Sequence, residues 1–137
     1  MALDQLTKWW AVNDLADGPV VLIPDFLQLR LTYNTGASFS IFANAGPILA
    51  IVAFGVVGLI IYVLGDARRR IEAVALGLVL GGAIGNLLDR LFRGSGLLDG
   101  AVVDFIDFSF FATFNVADAA INVGVALLLI AVFVHRS

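Results

Sequence analysis

No charged residue stands between Arg30 and Asp66, and inside that gap 47–64 is one apolar run of 18 residues. The hydrocarbon core of a bilayer takes about 20 apolar residues in helical form, with a range of roughly 17–25. A run of this length becomes a transmembrane helix, because in lipid each backbone N–H and C=O must find its partner inside the segment. Two further stretches, 71–92 and 116–134, have the same character. Composition agrees: 61% of residues are hydrophobic and 14% charged, and the mean hydropathy is +1.00. Soluble domains average about 45–50% apolar and about 25% charged. A water-soluble globule and a disordered chain are both excluded. The 137 residues suit a single integral membrane domain, 1–137.

The same inventory narrows the chemistry. With no Cys there is no disulfide scaffold, thiolate metal site or cysteine nucleophile. One His cannot build a His-rich metal centre, so no metal or other cofactor is expected. A net charge of -3 without a long basic run argues against nucleic acid as a partner. No apolar run precedes the first charge in Met1 to Trp10, so no signal peptide is visible.

Cations set the orientation. Arg68, Arg69 and Arg70 lie together between the first two spans, and the chain ends His135-Arg136-Ser137. The opposite loops hold only Lys8, Arg30 and Arg93. The positive-inside rule places the arginine cluster and the C-terminus in the cytoplasm, and residues 11–45 and 93–115 on the outer face. His135 then reads as a solvated interface residue. Within the outer segment 18–45, Leu27, Leu29, Leu31 and Tyr33 alternate with Gln28, Arg30, Thr32 and Asn34. Period two predicts a half-buried strand, punctuated by Pro19, Pro24 and Asn34-Thr35-Gly36. Val102-Val103 before Asp104 suggests a second short strand. The expected fold is an all-α membrane bundle with a small extracytoplasmic β-structure.

In the span 71–92, Gly77, Gly81 and Gly85 recur every four residues, a spacing that lets helices approach closely in lipid. Gly82, Asn86 and Arg90 form the adjacent stripe. Ionisable groups at such a helix end are costly and point to function. Four aspartates, Asp89, Asp104, Asp107 and Asp118, gather near the outer interface. A Ser–His triad built on Ser38, Ser40, Ser95 or Ser109 lacks an imidazole on that side, and a Ser–Lys dyad would need Lys8. Carboxylate chemistry remains. Two acids sharing a proton activate water when their pKa values are pushed apart. Burial in the apolar Val103-Asp104-Phe105 setting would raise the pKa of Asp104. Each residue also has a plain structural reading. Asn115 and Asp118 have the spacing of a capping box, which is compatible with catalysis. Asp89 beside Arg90 reads as an ion pair or a hydrogen-bonding strut, and Asn34 as a turn residue.

Five blocks occur in order: Asp4-Gln5-Leu6-Thr7-Lys8, Asn34-Thr35-Gly36-Ala37-Ser38-Phe39-Ser40, Gly81 to Arg90 with Gly85-Asn86-Leu87-Leu88-Asp89-Arg90, Val102-Val103-Asp104-Phe105, and Phe114-Asn115-Val116-Ala117-Asp118. Together they resemble the lipoprotein signal peptidases (signal peptidase II) from Asp4 nearly to the C-terminus. The resemblance implies a monomeric aspartyl endopeptidase of the bacterial inner (cytoplasmic) membrane. Such an enzyme contacts membrane lipids and cleaves signal peptides from prolipoproteins, just before a diacylglyceryl-modified cysteine on the extracytoplasmic side. It assigns the catalytic pair to Asp104 and Asp118. Asn34, Gly36, Asn86, Arg90 and Asn115 fall on positions that line the site or bind substrate, and Asp4, Lys8 and Asp89 on supporting positions. The residue chemistry by itself does not separate Asp104 from Asp89.

Two departures from the family pattern follow. Only Met1-Ala2-Leu3 precede Asp4, so a remnant of a first helix is expected beside three full spans, as in a fragment or a misplaced start. Gly94 to Gly100 reads as an insertion before Asp104. The competing readings are a small transporter or channel and an inactive truncated fragment of the peptidase. A transporter would carry polar residues through the bilayer, whereas these spans are apolar at mid-depth. The topology predicts that an impermeant thiol reagent added from outside labels a cysteine placed at Ser95 and spares one at Ala67.

Overall fold

The computed structural model describes residues 1–34, 46–94 and 100–136. Seven elements follow in order: α1 (Ala2–Asp14), β1 (Val20–Ile23), β2 (Leu27–Asn34), α2 (Gly46–Leu64), α3 (Arg70–Phe92), β3 (Val102–Phe108) and α4 (Val116–Arg136). Three of the helices are long and apolar enough to cross a membrane, over Pro47–Leu64, Arg70–Phe92 and Val116–Val134. With the small sheet they form the expected all-α membrane bundle. Many side chains of α2 and α4 face away from the protein. Ile48, Ile51, Leu59, Ile61, Leu129 and Phe133 are all exposed, as a lipid-facing surface requires.

Helix α3 is the helix against which α2 and α4 both pack. Its contact with α4 is set by missing side chains. A Cβ at Gly82 would lie 2.5 Å from the Ala117 carbonyl oxygen and 2.6 Å from Ile121 Cγ1. On α4, a Cβ at Gly124 would lie 2.6 Å from the Ala75 carbonyl oxygen. The two backbones are in direct apposition, the arrangement small residues permit in lipid. The stripe Gly77-Gly81-Gly85 is not the packed face along its length. Gly77 has nothing within 4 Å, and contact begins only at Gly81 and Gly85, near α1.

The three strands form one antiparallel sheet in the order β1-β2-β3. Thr32 of β2 pairs with Asp104 of β3, and Asn34 with Val102, so the end of β2 lies beside the start of β3. The sheet packs on α1 through Ala11, Leu15, Val103 and Phe105, with Leu29, Leu31, Ile106 and Val116 around them. Gly100 brings the chain to β3. Its N–H bonds the Arg90 carbonyl at 3.0 Å, and a Cβ there would collide with the Asp89 carbonyl. Gly100 therefore sits tight against the end of α3, which only glycine allows at this distance.

Gly82→Ala is expected to force α3 and α4 apart and to cost about 1–3 kcal/mol, the usual range for overpacking. Gly77→Ala should be neutral or slightly stabilising. Thermal unfolding of the two variants in the same detergent checks the contrast.

Candidate active site

Four elements converge where the sheet meets the bundle, and each brings polar side chains into a buried cluster. Asp4 and Lys8 are one turn apart on α1, which puts them on the same face. Asn86, Asp89 and Arg90 occupy the last turns of α3. Asp104 sits near the start of β3, and Asn115 and Asp118 begin α4. Asp4, Lys8, Asp89, Arg90, Asp104 and Asn115 are all buried.

Lys8 is fully buried, and its ammonium meets three acceptors: Asp4 Oδ2 at 2.7 Å, Asp89 Oδ2 at 3.0 Å and Asn86 Oδ1 at 3.0 Å. An ammonium has three donors and no acceptor, so its capacity is filled. Asp4 Oδ1 accepts the backbone N–H of Ala117 at 2.9 Å, in the first turn of α4. Asp89 Oδ2 accepts the backbone N–H of Val103 at 3.0 Å, on β3. Asp89 Oδ1 takes Arg93 Nε at 3.0 Å. Lys8 thus ties the residue before Asp118 to the residue before Asp104. Gly85 makes room for this, since a Cβ there would run into the Asp4 carboxylate.

Asn115 joins the two candidate acids. Its side-chain NH2 lies 2.8 Å from Asp104 Oδ1, 3.1 Å from the Val103 carbonyl and 3.1 Å from Asn86 Oδ1. Its backbone N–H donates to Asp118 Oδ2 at 3.2 Å, while its Oδ1 accepts the Asp118 N–H at 2.8 Å. Those last two bonds are a reciprocal capping box. Asn86 Nδ2 donates to the other oxygen, Asp118 Oδ1, at 3.0 Å. The Asn34 side chain bonds Asp104 from β2. Burial pushes the Asp104 carboxyl up to about 7, and the nearby Asp118 charge adds to that, against the opposing bonds from Asn115 and Asn34 and the charge of Lys8.

Asp104, Asp118, Arg90, Asn34 and Asn86 line one cleft of about 350 Å³, whose other walls are apolar: Leu49, Val52 and Val56 of α2, Leu87 of α3 and Ile121 of α4. Two polar acids, a guanidinium and two amides face a cavity open towards the membrane-spanning helices. Asp107 is elsewhere. Three residues separate it from Asp104 on a strand, so the two point to opposite faces, and Asp107 instead accepts Gln28 Nε2 at 2.7 Å and Arg30 Nε at 3.2 Å.

The structure brings together nine of the ten residues singled out from the sequence; Gly36 lies outside the described residues, as do Ser38, Ser40 and Ser95. Asp89 makes ion pairs with Lys8 and Arg93. Sequence reasoning missed Gln5, whose amide donates to Asp4, to the Gly85 carbonyl and to Asp89. It also missed the ion-pairing role of Arg93. The signal for Arg93 was its position four residues after Asp89, and for Gln5 its place inside the Asp4–Lys8 turn.

Comparisons with known proteins agree with one another. The sequence profile of the family described as signal peptidase (SPase) II matches residues 1–134. The chain is 45% identical over 131 residues to a lipoprotein signal peptidase of Rhodococcus jostii, covering 95% of this chain and 66% of that protein. It is 43% identical over 139 residues to one of Shouchella clausii, covering 98% of this chain and 88% of that protein. A solved bacterial membrane enzyme superposes with a TM-score of 0.87 at 30% identity, over 99% of this chain and 84% of that one.

Lys8→Met should lower stability by about 3–5 kcal/mol, because it strands two buried carboxylates without their shared cation. Lys8→Met combined with Asp4→Asn should lose less than Lys8→Met alone. Unfolding midpoints in detergent test both.

Proposed function

Because the chain belongs to the signal peptidase II family, we propose that it is an aspartyl endopeptidase of the cytoplasmic membrane that removes signal peptides from prolipoproteins. The cut falls before a diacylglyceryl-modified cysteine, on the extracytoplasmic side. The chain works as a monomer among membrane lipids, and its dyad is Asp104 and Asp118. The observation that carries this reading is the junction at Asn115, which bonds both carboxyls at the wall of one cleft. No thiol or imidazole lies among the residues of that cleft. The acids therefore do the work.

The chemistry follows from a pair holding one proton. Asp104, pushed up to about 7, keeps a substantial share of that proton at neutral pH and is the acid of the pair. Asp118 receives donors from Asn86 and Asn115, and is then the carboxylate that draws a proton from water. The water oxygen bonds to the scissile carbonyl carbon. Arg90 and Asn34, at the same cleft, steady the oxyanion. The C–N bond breaks as Asp104 gives its proton to the departing amine. The products are a signal peptide with a new carboxyl end and a lipid-bearing cysteine with a free amino group. Asn86, Asn115, Asp4, Lys8 and Asp89 act by holding the two acids in place.

Asp104→Asn and Asp118→Asn should each slow cleavage of a diacylglyceryl-modified precursor by about 10²–10⁴-fold while leaving the protein inserted. Asp107→Asn should retain near-full activity. The kcat/KM of the unaltered enzyme should fall as pH rises through about 7, where Asp104 loses the proton the leaving amine needs. Cleavage of a purified lipidated precursor, followed by gel shift across pH, reads all of these. Near-full cleavage by Asp104→Asn would overturn the dyad and move attention to Asp89.

A further inference from the structure

Asp118 and Ile121 also border a second cleft, of about 200 Å³, which adjoins the cavity already described. Its walls are Phe111, Phe114 and Ile121, and Asn122 stands one turn along α4 from Asp118. Asn122 is exposed, yet it lies inside the membrane-spanning stretch Val116–Val134. An amide facing hydrocarbon is unfavourable unless it meets a polar partner. Its neighbours Val123 and Val125 are exposed as well, and as apolar residues they need none.

A peptide whose scissile carbonyl is at the dyad must leave the site in two directions. The first cleft has apolar walls in Val52, Val56 and Leu87 beyond its polar end, and these suit a signal-peptide helix. On the other side of the cut stands a cysteine whose thioether carries a glyceryl diester. Such a group is polar at its ester carbonyls and apolar along its two chains. The second cleft offers that combination in the same order: a carboxyl at the cut, an amide one turn away, aromatic walls, then lipid-facing α4. We propose that this second cleft is the subsite for the substrate's diacylglyceryl group, with Asn122 donating to an ester carbonyl. This rests on the peptidase reading above, and it makes Asn122 a specificity-determining residue.

A precursor with a photoreactive diazirine close to the ester end of one acyl chain tests the placement. Bound to the Asp104→Asn enzyme and illuminated, it should label Phe111, Phe114 or Asn122. Label on Val52, Val56 or Leu87 would overturn the assignment. Kinetics with the otherwise unaltered enzyme give a second test. Asn122→Leu should raise KM for the lipidated precursor about three- to tenfold with kcat little changed, as expected for one lost hydrogen bond. Asn122→Gln should recover most of the loss. An unchanged KM in Asn122→Leu would overturn the lipid subsite while leaving the peptidase intact. Failure of the unaltered enzyme to cut any lipidated precursor would instead overturn the peptidase reading.

Discussion

A single buried ammonium holds this site together. Taking Lys8 out of water costs several kcal/mol, and the attraction of two carboxylates offsets that only if all donors and lone pairs are used. Here they are: Asp4, Asp89 and Asn86 receive the ammonium, and Arg93 balances the second carboxylate. The two aspartates then spend their remaining capacity on backbone N–H groups next to Asp118 and Asp104, the two acids of the proposed dyad. A strand and a helix that share few side-chain contacts are thereby fixed to one another. Proton sharing between two carboxyls depends on a constant separation, and side chains locked by satisfied neighbours supply it.

Asp118 shows how structure and chemistry coexist in one residue. It closes the capping box of α4 with Asn115, which fixes its rotamer. The same carboxylate lines the cleft. The cap uses one oxygen of the carboxylate and the Asn86 amide the other. The result is an acid positioned by a helix end rather than by a loop.

Much of this was legible in the chain. The three spans follow from long apolar stretches, and β2 from the alternation of Leu27 to Asn34. Asp104 and Asp118 came from the resemblance, since residue types alone left Asp89 equally eligible. Their surroundings differ: Asp89 is enclosed by Lys8, Arg93, Gln5 and Val103, whereas Asp104 and Asp118 reach a cavity. The glycine stripe was legible as packing but not in its partner, because periodicity gives a face and not what the face meets. Gly82, on the neighbouring stripe, turned out to carry the contact with α4. β1 was not foreseen as a separate strand: Val20 to Ile23 are all exposed and show no alternation to read.

The pairing of Lys8 with Asp4 has a bearing on biogenesis. Lys8 is 78 residues from Asn86, and Asp4 is 113 residues from Ala117. Lys8 and Asp4 meet within one helical turn of α1, so that pair closes as soon as the helix forms. Their other partners lie on α3 and at the start of α4, and those contacts close much longer loops of chain. The site thus joins one cheap local contact to several costly distant ones, and its assembly is a late event in folding.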